Sequence, residues 1–101
     1  MRKIFFIVFL FTFNTALANE VAKNLAQKNG CFACHSVKVK VLGPSFVDVS
    51  KKYNSHQDAR QMLIEKIKNG GSGNWGNVPM ISHPNLSDKD IGVMVDWILE
   101  L

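Results

Sequence analysis

The feature that most constrains this chain is a pair of cysteines followed directly by a histidine. Cys31 and Cys34 are the two cysteines of the sequence, and His35 comes next. Positions i, i+3 and i+4 of a helix share one face, so two thiols and an imidazole can approach one ligand from the same side. The C-x-x-C-H pattern is typical of c-type haem attachment, with thioethers from the thiols and iron ligation by the imidazole. The sequence therefore predicts one covalently bound haem c per chain.

Three other uses of a C-x-x-C pair fit the sequence less well. A thioredoxin-like redox pair belongs in a βαβ setting, and the sequence shows no strands for one. A structural zinc site needs a second pair of ligands, and His56 and His83 are not spaced as such a pair. A structural disulfide would not need the adjacent His35. Haem attachment is therefore the favoured interpretation.

The first eighteen residues have the pattern of a secretory signal peptide. Two basic residues follow the first methionine, Ile4–Phe13 is almost entirely apolar, and Ala16–Ala18 is a small-x-small cleavage site. The alternative is a retained membrane anchor, which needs roughly 20 apolar residues. Ile4–Leu17 has only 14 residues, three of them polar. We predict cleavage after Ala18, a periplasmic location and a mature domain of residues 19–101 that is not embedded in a membrane.

The charge balance excludes several functions. The chain has 12 basic and 8 acidic residues, a formal net charge of +4. The predicted signal peptide holds only two of these charges, Arg2 and Lys3, so the remaining 83 residues have a net charge of +2. This small, scattered charge does not predict nucleic-acid binding, and neither standard Gly-rich phosphate loop occurs. A domain of this size commonly needs a disulfide, a metal or a prosthetic group to complete its core.

Hydrophobic periodicity predicts an all-α domain of about four short helices joined by long loops. The predicted helices are residues 20–29, a segment beginning at Ser45, a segment capped by Ser55 with Asp58 and ending at Asn69, and a C-terminal segment capped by Ser87 with Asp90. Met62 and Met94 lie on the apolar stripes of the last two helices and are predicted to pack in the core. Residues 70–84 show no periodicity and are predicted to form a long functional loop.

This loop carries the side chain that we predict to bind the haem iron opposite His35. The candidates for the sixth ligand are His56, His83, Met62, Met80 and Met94. The two helical methionines are assigned to packing, and His56 to the solvated first turn of a helix. Met80 follows Pro79, whose fixed backbone angle helps to position the thioether. Met80 is therefore the predicted ligand. His83, which Pro84 constrains, is the alternative ligand.

Further sequence elements accompany the haem motif along the whole mature region. In chain order they are Gly30 before Cys31, then Gly43-Pro44, Ile67-Lys68-Asn69-Gly70, Trp75-Gly76-Asn77-Val78-Pro79-Met80 and finally Trp97. On these residues the sequence resembles the small monohaem class I c-type cytochromes of bacteria, of the cytochrome c-551 (cytochrome c8) type. The resemblance implies a class I cytochrome c fold, in which short helices and long loops wrap around one covalently bound haem.

The resemblance also implies roles for residues around the haem. The carbonyl of Pro44 would lie near the second ring nitrogen of His35, and the indole N–H of Trp75 would donate to a haem propionate. Lys66 stands where many relatives have a basic residue that can face a propionate. Asn77 departs from the proline common at its position, which would loosen the ligand loop slightly.

Together these features predict a soluble periplasmic electron carrier that is not an enzyme. Its expected partners are an electron donor and a terminal oxidase or reductase. The carrier is expected to be a monomer that binds each of them transiently. Candidate contacts are an apolar rim of Phe32, Ala33, Pro79 and Ile81, with orienting lysines at Lys38, Lys40, Lys51 and Lys52. Two alternatives stay open. One is a haem-based small-ligand binder or peroxidase-like enzyme with a displaceable Met80, and the other is a permanently bound module of a larger redox complex.

Overall fold

The part of the chain that the structure describes forms four α-helices and one small β-hairpin. A computed structural model describes residues 3–7 and 15–101; residues 8–14, which hold most of the predicted apolar run of the signal peptide, lie outside the described residues. The elements are α1 (Thr15–Lys28), a 3₁₀ turn (Cys31–Ala33), α2 (Phe46–Tyr53), α3 (Ala59–Asn69), β1 (Gly71–Gly73), β2 (Gly76–Met80) and α4 (Asp88–Leu99). Across these two described ranges, no helix combines the length and apolar character needed to cross a membrane.

Helix α4 is the centre of the core, and α1, α2 and α3 each pack against it. It begins where the sequence predicts, because the Ser87 hydroxyl accepts a hydrogen bond of 3.1 Å from the N–H of Asp90. Its apolar positions recur at helical spacing and are buried: Ile91, Met94, Val95, Trp97 and Ile98. The predicted C-terminal helix and the packing role of Met94 are therefore confirmed.

Helix α2 is fixed by a cap at its start and by a buried serine in its second half. The Ser45 hydroxyl caps it by accepting a hydrogen bond of 3.1 Å from the N–H of Asp48. The Ser50 hydroxyl is fully buried and lies 3.1 Å from the carbonyl oxygens of both Leu99 and Leu101, to which it donates. Since unpaired buried hydroxyls are costly, this bond ties α2 firmly to the end of α4.

The predicted start of the third helix is wrong. Helix α3 begins at Ala59, and the stretch from Asn54 to Asp58 forms turns instead. In those turns the N–H of His56 donates to the carbonyl of Tyr53, and the N–H of Ala59 donates to the carbonyl of His56. Ser55 therefore does not cap a helix, and His56 lies before α3 rather than in its first turn.

The predicted core position of Met62 is also wrong, because its side chain is 41% exposed. Helix α3 buries Ala59 and Ile64, with Leu63 and Ile67 partly buried against the same core. Met62 precedes Ile64 by two residues, which places it about 200° around the helix axis from that buried side chain. It therefore lies on the solvent side of α3.

The predicted irregular loop after α3 is in part a β-hairpin. Strands β1 and β2 are antiparallel, with Gly71 opposite Met80 and Gly73 opposite Gly76 and an irregularity between the two pairs. Every residue of the hairpin except Met80 is exposed. The hairpin has no buried face, so the alternation by which strands are recognised in a sequence is missing. The mainly helical architecture is otherwise as the sequence predicts.

Candidate haem site

The C-x-x-C-H segment forms a single tight turn directly after α1. Gly30 ends the helix in the left-handed region with a φ of 78°, where glycine is free of the strain that other residues meet. The N–H groups of Cys34 and His35 then both donate to the carbonyl of Cys31, at 3.2 and 2.9 Å. This turn gives the two thiols and the imidazole the i, i+3, i+4 spacing of one helical face.

The two cysteines are half-buried free thiols in this structure. Burial raises the pKa of the Cys31 thiol above its ordinary value, and the neighbouring Cys34 adds to the rise.

The ring of His35 is oriented by a hydrogen bond from its Nδ1 to the carbonyl oxygen of Pro44, at 2.7 Å. A carbonyl oxygen can only accept, so the shared proton belongs to Nδ1. The lone pair of the neutral imidazole then lies on Nε2, the nitrogen left for a metal. The N–H of Gly43 donates to the carbonyl of Cys34 at 2.7 Å, which closes the loop that brings Pro44 back to the motif.

Two neighbours hold the plane of the same ring. The Phe46 ring stacks on the His35 ring with centroids 5.1 Å apart and 20° between the planes. A Cβ at Gly43 would lie 2.7 Å from Cε1 and 3.0 Å from Nδ1 of His35, so no side chain fits there without moving the ring. The Gly43-Pro44 pair can be recognised in the sequence. The stack of Phe46 on His35 cannot, because Phe46 lies eleven residues after the histidine and the path of the loop between them is not encoded in a local pattern.

Met80 is half-buried at the end of β2. Its main chain is packed against Gly70, where a Cβ would lie 2.5 Å from the Met80 carbonyl oxygen and 2.8 Å from the Ser82 nitrogen. Gly70 has a φ of 68° and a ψ of −154°, a conformation available essentially to glycine alone. Gly70 therefore fixes the place of Met80 relative to the end of α3.

The other candidate ligands differ in their burial and hydrogen bonding. Met94 is buried in the core, whereas Met62 and His56 are exposed. The N–H of His83 donates to the carbonyls of Ile67 and Lys68 at 3.2 Å. Within the described part of the chain, Nδ1 of His83 is buried without a hydrogen-bond partner.

Trp75 lies at the tip of the hairpin, packed beside α2. Its ring is 6.4 Å from that of Tyr53 in an edge-on arrangement, and Nζ of Lys52 lies 4.5 Å from its centroid. Nζ of Lys66 lies 3.5 Å from where a Cβ at Gly71 would stand, beside the base of the hairpin.

The residues present fit a covalently attached haem. The turn offers two thiols that can form thioethers with a haem, and the bond of His35 Nδ1 to Pro44 leaves Nε2 for the iron. The half-buried side chain of Met80 on β2 carries a thioether, which is a known ligand of haem iron. Exposed apolar side chains are also concentrated on the segments next to the motif and on the hairpin: Phe32, Val39, Val41, Leu42, Trp75, Val78 and Ile81. Such a concentration is typical of surface that is covered by a further group.

Comparison with known proteins identifies the family. The family model described as cytochrome c matches residues 20–101. The chain belongs to the cytochrome c family. It is 49% identical over 78 residues to cytochrome c-552 of Nitrosomonas europaea, covering 77% of this chain and 76% of the relative. It is 41% identical over 101 residues to cytochrome c-552 of Hydrogenobacter thermophilus, covering 100% of this chain and 99% of the relative.

A solved structure shows the same fold. The crystal structure of wild-type Nitrosomonas europaea cytochrome c552 matches with a TM-score of 0.74 at 47% identity, covering 77% of this chain and 96% of that chain. The resemblance seen in the sequence is therefore confirmed. The chain is a haem-based electron carrier with covalently bound haem c, and Cys31 and Cys34 lie in its C-x-x-C-H region.

Proposed function

We propose that this cytochrome is a periplasmic one-electron carrier in which Cys31 and Cys34 hold the haem and His35 and Met80 bind its iron. The observation that carries the proposal is the bond from Nδ1 of His35 to Pro44, which leaves Nε2 as the metal-binding nitrogen. Met80 is supported as the second ligand by its half-buried position and by the contact of its main chain with Gly70.

These four residues suit a group that exchanges electrons without protons. Haem c supplies the Fe(II)/Fe(III) couple when bound. The Nδ1 proton of His35 is committed to the Pro44 carbonyl, and the thioether of Met80 has no proton to lose. The ring plane of His35 is fixed by Phe46 and Gly43, so it need not reorient when the iron changes charge. A neutral, rigid ligand set favours fast electron exchange and a raised reduction potential.

Three further residues are proposed to support the cofactor. Pro44 fixes the orientation of His35 through its carbonyl. Trp75 donates its indole N–H to a haem propionate, and its place at the hairpin tip, beside Lys52, keeps the ring in a defined position. Lys66, beside the base of the hairpin, adds a positive charge that can face a propionate.

The surface beside the motif is proposed to meet redox partners transiently. Phe32, Ala33, Pro79 and Ile81 are all exposed, and these are the residues predicted as an apolar rim. Lys38 and Lys40 are exposed on the loop that follows His35, where they can orient an acidic patch on an electron donor or on a terminal oxidase or reductase.

The ferric wild-type protein is expected to show the weak long-wavelength absorption band of a methionine sulfur bound to haem iron. The reason is the proposed ligation of the iron by the thioether of Met80, whose main chain packs against Gly70. An absorption spectrum of the oxidised protein at neutral pH makes the measurement. A spectrum without this band would reject Met80 ligation and favour a ligand-binding or peroxidase-like haem protein.

Export is proposed to remove residues 1–18. Helix α1 runs through the cleavage site, but Ala16, Leu17 and Ala18 are exposed, and the first buried side chain of the helix is Ala22. Among residues 3–7 and 16–18, where burial is described, cleavage would therefore remove no buried side chain. The intact mass of the protein from its native host is expected to correspond to a chain that starts at Asn19 plus one haem. A mass that includes residues 1–18 would contradict processing and the soluble periplasmic location.

A further inference from the structure

The β-hairpin that ends in Met80 lacks a buried face of its own. All of β1 and the first four residues of β2 are exposed. Four glycines at positive φ lie along it or at its base: Gly70, Gly71, Gly73 and Gly76. Glycine gives the backbone more conformational freedom than any other residue. A segment of this kind needs contacts from outside if its end is to be held in one place.

Lys52 of α2 supplies such contacts at the tip of the hairpin. Its Nζ donates a hydrogen bond of 2.9 Å to the carbonyl of Asn74. The same nitrogen lies 4.5 Å from the centroid of the Trp75 ring, within the range of a cation–π interaction. Asn74 and Trp75 are the two turn residues between β1 and β2, so one ammonium group holds both residues of the turn.

The anchor of this contact is rigid. Lys52 lies on a helix whose inner face is buried at Phe46, Val49 and Ser50, and the residue after it, Tyr53, is buried too. The Tyr53 ring also meets the Trp75 ring edge-on. Helix α2 is in turn tied to α4 through Ser50. The tip of the hairpin is therefore fastened to the core through α2, while its base is fastened by the contact of Gly70 with Met80.

We propose that Lys52 is a positioning residue for Met80: by clamping the Asn74-Trp75 turn to α2, it keeps the hairpin closed and the thioether at the iron. This inference rests on the proposed function, since it assumes that Met80 is the axial ligand. It assigns to Lys52 a role different from the orientation of a redox partner. Loss of the clamp should increase the time that the hairpin spends open, without removing any group that contacts the haem iron.

The test compares Lys52→Leu with Lys51→Leu in the haem-loaded protein. Both variants remove one positive charge from α2 and have closely similar helix propensities. Lys51 is also exposed, but the contacts with Asn74 and Trp75 belong to Lys52. The two readouts are the rate of carbon monoxide binding to the ferrous protein and the hydrogen exchange of the β2 amides. Lys52→Arg serves as the rescue, because a guanidinium can both donate to a carbonyl and stack on an indole ring.

Lys52→Leu is expected to raise both rates by roughly three- to tenfold, the effect of losing one charged hydrogen bond and one exposed cation–π contact. Lys51→Leu should leave both unchanged, and Lys52→Arg should return them close to the wild-type values. Equal rates of β2 amide hydrogen exchange in the two leucine variants would contradict the proposal that Lys52 holds the hairpin closed. If the wild-type ferric spectrum lacked the methionine band, ligation of the iron by Met80 would be rejected. The hydrogen exchange of the β2 amides would then still decide whether Lys52 keeps the hairpin closed.

Discussion

The Met80→Ala protein is expected to keep its covalent haem but to lose the methionine band of the ferric spectrum. Alanine has no donor atom, so the position opposite His35 is left to water or to an added ligand. The reduction potential should fall by on the order of 100 mV or more, because a thioether ligand favours Fe(II) and axial ligands are a main determinant of haem potentials. A redox titration beside the wild type measures the fall. An unchanged potential would show that Met80 is not a ligand.

The other two methionines of the mature region are matched controls for this experiment. Met94→Ala should retain the band and lose about 2–5 kcal/mol of unfolding free energy, because Met94 is only 2% exposed. Met62→Ala should retain the band and change stability by no more than about 0.5 kcal/mol, as is usual for exposed positions. Denaturant unfolding and the ferric spectrum together separate ligation from packing. Loss of the band in either control would mean that the wrong methionine has been assigned.

The second large effect is expected for Gly70→Ala. The new Cβ would stand 2.5 Å from the carbonyl oxygen of Met80 and 2.9 Å from the carbonyl carbon of Ile81. Both are main-chain atoms, so the clash can be relieved only by moving the segment that carries Met80. The variant should therefore show a weakened methionine band and a lower reduction potential, in addition to lower stability. The ferric spectrum of the folded protein at neutral pH checks this outcome.

Gly73→Ala is the control for backbone strain. Gly73 also has a positive φ, of 116°, but a Cβ there would meet nothing within 4 Å. Its replacement should cost about 1–3 kcal/mol through strain alone and should leave the methionine band in place. If both glycine variants affect the band equally, flexibility of the hairpin rather than the contact with Gly70 controls the position of Met80.

The helices could be predicted from the sequence where local signals agreed with one another. Ser45 and Ser87 each precede an apolar face at helical spacing, and both are N-caps in the structure. Ser55 with Asp58 offered the same local pattern without capping a helix, because the intervening residues are used in turns. Capping residues alone therefore do not fix the start of a helix.

The haem motif could be recognised because its chemistry depends on spacing within one turn. The features that position the ligands could not be recognised, because they join residues far apart in the sequence. The stack of Phe46 on His35 depends on the path of the intervening loop. The hairpin is held by main-chain pairing and by Lys52, and neither leaves a hydrophobic pattern that a sequence would show.

We propose that His35 and Met80 both bind the iron, so that the protein acts as a carrier rather than as a ligand-binding haem protein. The most direct test is to mix the ferrous wild-type protein with carbon monoxide at neutral pH and to follow the spectrum. Binding is expected to be slow or absent in the wild type and rapid in Met80→Ala. Rapid binding of carbon monoxide by the wild type would contradict a closed site.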